Sequence, residues 1–296
     1  MSEIRIESTD ATLGATVTGV SLAALEPEEW LQIESAFDEY ALLIFPAQQL
    51  THAQQTEFGA RFGKLAIEGI PISNTRDDGR LCEADDPLMG IHRGNQEWHT
   101  DSSYMPVSAK ASMLSAHTVP AVGGETQWAD MRAAYEALEP AVRARVEGLC
   151  AYHSLDQAQK RVGVSSGITT QGLESISPRM GDLKDEDAGY ANLKGDPPLR
   201  PLVKLHPTTG RPALFIGRHA YGIPDLDPIE SQKLLDELVE FACQPPRVYS
   251  RSWSVGDIVI WDNRCVLHRV RPWSLDEARV LYHTRVDGNP ATESGV

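Results

Sequence analysis

The chain opens on short alternations of apolar and polar residues and then passes into helical spacing. Ile4–Arg5–Ile6 and Ala15–Thr16–Val17 repeat with period two and predict short strands. Residues 28–40 space their apolar positions as a helix does, and Ala41–Leu42–Leu43–Ile44–Phe45 is an unbroken apolar run of strand length. A second helix is predicted over residues 51–62, with Thr51 as its N-cap. From about residue 111 the texture becomes mainly strand, over residues 111–118, 126–128, 202–206, 212–217, 257–261 and 279–286. Two helices interrupt it, residues 131–148 and 229–243, the second opened by Asp227–Pro228 in a cap-then-first-turn arrangement. Many short strands with turn residues between them predict a mainly β sandwich or barrel with flanking helices.

Residues 156–198 break this texture, combining Gly, Ser and mixed charge with weak periodicity over a length unusual for a connecting loop. Two readings stay open for them, an active-site lid and a mobile insertion, while the charge run at residues 182–187 reads as solvated surface. No internal repeat is present, and residues 1–296 are expected to form one domain.

Composition changes the picture through charge. Of 296 residues, 27 are basic and 42 acidic, and the resulting −15 repels phosphate backbones and anionic lipid headgroups. Nucleic acid and membranes are therefore excluded as expected partners. Any anionic ligand must be held by local positive charge, so interior arginines become the residues to look for. Cys82, Cys150, Cys243 and Cys265 are widely separated, with no Cys-x-x-Cys pair, and are expected to be reduced. The first ten residues contain no apolar leader segment and residues 40–45 are too few to cross a bilayer, so the expected compartment is the cytoplasm.

Candidate chemistry begins at Trp98–His99–Thr100–Asp101. On a strand, residues two apart share a face, so His99 and Asp101 can bring an imidazole nitrogen and a carboxylate oxygen to one point. A third ligand is needed to complete the 2-His-1-carboxylate set of non-haem iron oxygenases, and His268, beyond the apolar strand Ile258–Val259–Ile260, is the candidate. Further on, period-two alternation places Arg279, Leu281, His283 and Arg285 on one strand face, which supplies interior positive charge in an acidic protein.

His99-x-Asp101, the Gly123–Gly124–Glu125–Thr126 turn, Trp261–Asp262–Asn263 with His268, and Arg279 with Gly288 downstream resemble the taurine/2,4-dichlorophenoxyacetate dioxygenase family of Fe(II)/2-oxoglutarate-dependent enzymes. The resemblance runs from Ala11–Thr12–Leu13–Gly14–Ala15 to Gly288. Met131–Arg132–Ala133–Ala134–Tyr135, Ile216–Gly217–Arg218–His219–Ala220 and residues 279–288 are more similar still to the aryloxyalkanoate dioxygenases, which cleave phenoxypropionates. The resemblance implies a double-stranded β-helix, or jelly roll, with His99, Asp101 and His268 as iron ligands. It also implies that Arg279 and Thr126 grip the distal carboxylate of 2-oxoglutarate, a role that a guanidinium fork and a hydroxyl suit. Iron(II) is then the resident metal, 2-oxoglutarate and O2 are co-substrates, and the partner is a small anionic organic substrate. Because Asp101 stands where related halogenases have a small residue, the implied outcome is hydroxylation. Family members from bacteria commonly form homo-oligomers, and the same is expected here.

Two positions depart from the family pattern. The arginine that the taurine and phenoxyacetate enzymes carry four residues after the equivalent of Arg279 is His283 here, and the neighbourhood of the taurine enzyme's substrate histidine holds Ile70. Arg285 and Arg218 are the candidates to take over binding of the substrate's acid. Trp98, Tyr104, Met105 and Tyr221 are the candidates for the apolar side of the pocket. Competing readings are the same chemistry on an alkyl sulfate, sulfonate or other carboxylate, a jelly roll holding a non-redox metal, and a non-catalytic binder.

Overall fold

The computed structural model describes residues 3–76, 78–163 and 196–296. Its first half runs β1 (Arg5–Ser8), β2 (Ala15–Thr18), α1 (Pro27–Tyr40), β3 (Leu42–Phe45), α2 (His52–Ala60), β4 (Leu65–Ser73), α3 (Pro87–Asn95), β5 (Ala111–Thr118) and β6 (Thr126–Asp130). There follow α4 (Met131–Glu136), α5 (Pro140–Val146), β7 (Cys150–His153), α6 (Leu155–Arg161), β8 (Leu199–Pro201), β9 (Val203–Leu205), β10 (Pro212–Leu214) and β11 (Ala220–Tyr221). The chain closes with α7 (Pro228–Ala242), β12 (Val248–Arg251), β13 (Ile258–Asp262), β14 (Val266–Val270), β15 (Val280–Val286) and α8 (Pro290–Glu293). Among the described residues no helix is long and apolar enough to cross a membrane.

A seven-stranded sheet in the order β1-β2-β3-β13-β5-β15-β4 forms one wall. Opposite it stand the sheets β12-β6-β14, β11-β7-β8 and β10-β9, the jelly-roll arrangement with flanking helices. The continuous apolar run of β3 has a direct cause, because both faces of the large sheet are covered. Leu42 and Ile44, with Val259 and Trp261 of β13, face Trp128 and Leu267 of the smaller sheets in one core. Leu43 and Phe45, with Ile258 and Ile260, face Phe37 of α1 and Phe58 of α2 in a second. Alternation therefore separates two cores instead of core from solvent.

Three local outcomes differ from the sequence expectations. Ala41 is not in the strand; it is the left-handed C-cap of α1, with φ 58°. The single helix expected over residues 131–148 is two, because Pro140 starts a helix of its own and holds Glu139 before it in an extended conformation (ψ 141°). Strand β4 was not apparent in the sequence, since Gly69 and Pro71 interrupt it, yet it pairs with β15 at the edge of the large sheet. His283 faces Ile70 and Arg285 faces Ile67, so Glu68 and Gly69 together oppose Thr284. This is a β-bulge, and Gly69 takes the φ of +65° that it requires. Thr51 does cap α2, in a reciprocal pair with Gln54, and Asp227 caps α7. Of the 156–198 segment, residues 164–195 lie outside the described residues.

At the end of β7, His153 is fully enclosed, its ring 5.5 Å from that of Phe215, and neither ring nitrogen has a hydrogen-bond partner among the described residues. Burial first, then the charges of Arg200 and Lys204, push its pKa down to about 3. The folded state thus refuses a proton that the unfolded chain accepts below its ordinary pKa near 6.5. Stability contributed by keeping this ring neutral is complete above about pH 6.5 and is lost as pH falls toward 3, by up to about 1.4 kcal/mol per pH unit. His153→Leu is expected to lose less stability than the native protein between pH 7 and pH 5 in urea titrations. Equal losses would show that His153 does not carry this pH dependence.

Candidate active site

His99 and His268 meet backbone to backbone. An isolated antiparallel bridge joins them, His99 N–H donating to His268 O at 3.0 Å and His268 N–H to His99 O at 2.7 Å. The His-x-Asp segment is therefore not the strand that alternation suggested. His99 makes one bridge at the edge of β14 and the chain turns at Asp101. The reason lies in Asn263, which occupies the backbone where a strand neighbour would be: Thr100 Oγ1 donates to Asn263 O at 2.7 Å, and Asp101 N–H to Asn263 Oδ1 at 3.3 Å.

The turn brings the Asp101 carboxylate between the two imidazoles. Its Oδ1 lies 4.0 Å from His99 Nε2 and its Oδ2 3.9 Å from His268 Nε2, and one donor atom from each residue falls within 4.8 Å of the others. His99 Nδ1–H donates to Glu97 O at 2.8 Å, which leaves the Nε2 lone pair facing the cluster. Burial, the largest influence on each, lowers the pKa of both imidazoles and so favours the form that offers a lone pair. Burial opposes ionisation of Asp101, but His268, His283 and His99 around it outweigh burial and keep its carboxyl well below the usual range. Ser112 of β5 donates to Asp101 Oδ2 at 2.6 Å, and Asn263 Nδ2–H in turn donates to Ser112 Oγ at 2.8 Å. Two imidazoles and a carboxylate, oriented by surrounding groups, are a donor set suited to a divalent transition metal.

Arg279 precedes β15 and is buried. Its Nε–H donates to Gly124 O at 3.0 Å and its Nη2–H to Thr126 Oγ1 at 3.4 Å, while its guanidinium carbon stands 5.2 Å from the Trp273 ring centroid. A Cβ on residue 124 would come within 3.0 Å of Arg279 Cδ, so the second glycine of the turn makes room for this side chain. Trp253 Nε1–H also donates to Thr126 Oγ1, at 3.0 Å, and fixes the hydroxyl. Burial lowers the Arg279 pKa to about 10, which leaves it charged near neutrality.

One cavity holds the trio and this pair together, and Ile70, Tyr104, Arg218, His283 and Arg285 of the sequence candidates also line it. His283 Nε2 is 3.4 Å from Asp101 Oδ2, so His283 faces the trio itself. Trp98 and Tyr221 are not among the cavity's lining residues. The Trp98 ring lies under the guanidinium of Arg269 at 4.4 Å, and Tyr221 pairs with Tyr152, 6.0 Å between ring centroids, beside a second cavity. Met105 is buried away from the lining.

The family model described as "Taurine catabolism dioxygenase TauD, TfdA family" matches residues 5–285. The chain belongs to this family. A Sphingobium herbicidovorans relative, (S)-phenoxypropionate/alpha-ketoglutarate-dioxygenase, is 50% identical over 97% of this chain and 96% of its own. The alpha-ketoglutarate-dependent 2,4-dichlorophenoxyacetate dioxygenase of Cupriavidus pinatubonensis is 37% identical over 87% of this chain and 88% of its own. Among solved structures, AAD-2 in complex with Mn(II) and N-oxalylglycine superposes with a TM-score of 0.85 at 34% identity, covering 99% of each chain.

Several residues of this family member's site carried no role in the sequence reading. Ser112 is one, although a serine among the six buried residues that open β5 was a signal. Asn263 lay in a recognised motif without an assigned task. His219 lines the cavity with its Nδ1 3.0 Å from Ser103 Oγ, and α6 adds Leu155 and Gln159 from the start of the irregular segment. A second trio, His206, Asp262 and Cys265, also brings donor atoms within 4.8 Å, but its carboxylate is already taken up by His206 Nε2 at 2.9 Å and by Arg264 on both oxygens.

Removing the hydroxyl that orients Asp101 is expected to weaken a cation held by the trio. Ser112→Ala should lower Mn(II) affinity about 10-fold to 100-fold in a calorimetric titration, the usual cost of losing such a partner. Unchanged affinity would show that the Ser112 bond does not set the carboxylate's position.

Proposed function

We propose that this chain is an Fe(II)/2-oxoglutarate-dependent dioxygenase that hydroxylates aryloxyalkanoates of the phenoxypropionate type, with cleavage of the ether to a phenol and a keto acid. The observation that carries the reading is the presence, in one cavity, of the His99–Asp101–His268 donor set and the Arg279–Thr126 pair. A hydrolytic or structural metal site has no use for the second. The choice of substrate draws on the relatives named for (S)-phenoxypropionate, 50% and 46% identical to this chain.

In this proposal His99, Asp101 and His268 hold the iron. The bound metal, with 2-oxoglutarate and O2, supplies the oxidation itself, turning the keto acid into succinate and CO2. Arg279 and Thr126 fix the far carboxylate of the co-substrate, so that its keto acid end is aimed at the trio. Ile67, Ile70 and Leu114 give the cavity an apolar wall that excludes water and accommodates an aryl ring. The Glu97 carbonyl keeps the His99 tautomer, and Ser112 and Asn263 keep the carboxylate in place. One oxygen atom delivered to the C–H beside the ether oxygen yields a hemiketal, which collapses to the phenol and keto acid without hydrolytic residues.

Anaerobic loading with Fe(II) and 2-oxoglutarate, followed by O2 and a phenoxypropionate, is expected to release succinate and phenol in equal amounts. Succinate driven only by a sulfate or sulfonate would replace the substrate, and no succinate with any acid would overturn the reading. Thr126→Ala should raise the 2-oxoglutarate KM on the order of fivefold, the loss of about 1 kcal/mol of hydrogen bonding, with Mn(II) affinity unchanged. An unchanged KM would remove Thr126 from the co-substrate site.

A further inference from the structure

Arginines crowd a cavity in a chain of net charge −15. Arg218, Arg269, Arg279 and Arg285 line it, against the single carboxylate of Asp101. Three of the four are already occupied. Arg279 holds Thr126 and Gly124, Arg269 donates to Gln127 Oε1 at 2.9 Å and covers Trp98, and Arg285 is engaged by a neighbour.

Arg218 is different. Its Nη2–H donates to Gln159 Oε1 at 3.1 Å, its Nε–H is shielded without a partner, and no carboxylate lies within ion-pair distance of it among the described residues. The side chain is nonetheless pinned in place. Its backbone N–H donates to Trp98 O at 2.8 Å, Arg161 of α6 donates to its carbonyl, and its guanidinium lies against Gly94 of α3. A cation held this firmly, with a donor left over, needs an anion that the protein does not supply.

We propose that Arg218 is the receptor for the acid group of the primary substrate. The inference rests on the aryloxyalkanoate reading above and adds the residue that selects for the acid. Chemistry favours this place. In a 2-aryloxy acid the C–H to be oxidised sits on the carbon that bears the carboxylate, so its receptor must stand beside the trio. Arg218 follows a backbone bond to Trp98, the residue before His99, and its charge acts on both His99 and His219. Gln159, which accepts from the guanidinium, lines the same cavity.

The test uses the inert complex with Mn(II) and N-oxalylglycine, so that binding is read without turnover. (S)- and (R)-phenoxypropionate and the corresponding neutral amides are titrated calorimetrically into the native protein and into Arg218→Gln. The native complex is expected to prefer the acid to its amide by at least tenfold. Arg218→Gln should weaken the acid about 10-fold to 100-fold, the loss expected for hydrogen bonds to a charged group, and leave the amide and N-oxalylglycine unchanged. Gly94→Ala provides a second route that favours the helix, since its Cβ would stand 2.9 Å from Cζ and Nη2 of Arg218 and closer still to Nη1. It should displace the guanidinium and reproduce the selective loss. Acid binding at full strength in both variants overturns the proposal, as does a loss that falls on N-oxalylglycine, or a selective loss seen only with Arg285→Gln. Failure of the native complex to bind either phenoxypropionate instead removes the aryloxyalkanoate reading itself, and the ligand assigned to Arg218 with it.

Discussion

The side-chain amide of Asn263 stands where three pieces of chain must meet. Its oxygen takes Asp101 N–H and Trp261 Nε1–H, its nitrogen donates to Ser112 Oγ, and its backbone carbonyl takes the Thr100 hydroxyl. The His-x-Asp turn, the large sheet at β5 and the turn between β13 and β14 are thereby fixed relative to one another. Three of these contacts are buried and the one to Asp101 is partly so; an unmade buried hydrogen bond costs about 1–3 kcal/mol, so the contacts stand or fall together. The next residues of the turn are held by a separate network, with Arg264 across the Asp262 carboxylate and His206 behind it. Arg200, bonding the carbonyls of Ser103, Met105 and Glu293, ties down the chain just beyond Asp101.

Charge is distributed by depth. The acidic groups give the surface its field, while arginines are brought inside and used one at a time. Arg132 pairs with Asp130 and caps the carbonyls at the end of α1, and Arg264 pairs with Asp262; these are structural cations with their anions beside them. Arg279 and Arg218 have no such anion within ion-pair distance among the described residues. The contrast is the physical basis for reading the second pair as binding groups, because a shielded cation without a counter-ion is stable only when something else provides one.

How much of this was legible in the sequence follows from the range of the interactions involved. The trio, Thr126 and Arg279, which the fold gathers in one cavity, could be picked out because their residue types suit a metal and a dicarboxylate and their spacing resembles that of a family. The two-sided burial of β3 could be read from its unbroken apolar run. Ser112 stood out at most as a polar residue in a buried stretch; its bond to Asp101 depends on where a sheet passes a turn, and no local pattern encodes that partner. Trp98 was misread for a related reason. Its neighbour is a site residue, but its ring turns away, onto Arg269. Arg285 and Arg218 looked equivalent in the sequence, and only their partners in the folded chain separate them. The break between α4 and α5 was readable from Pro140, but the apolar spacing on either side of it masked the signal.

The bulge at Glu68 and Gly69 has a second effect. β4 is the last strand of the seven-stranded sheet, and a regular outer strand offers a row of free amides and carbonyls to any other extended chain. Here the extra residue bends that border, Pro71 contributes no amide to it, and Gly69 puts a left-handed kink between the two halves. The irregularity that lies opposite His283 and Arg285, two lining residues of the cavity, therefore also makes the border of the sheet a poor template for further strands. Restoring a regular β4 would straighten that border and leave a continuous row of amides and carbonyls open to self-association.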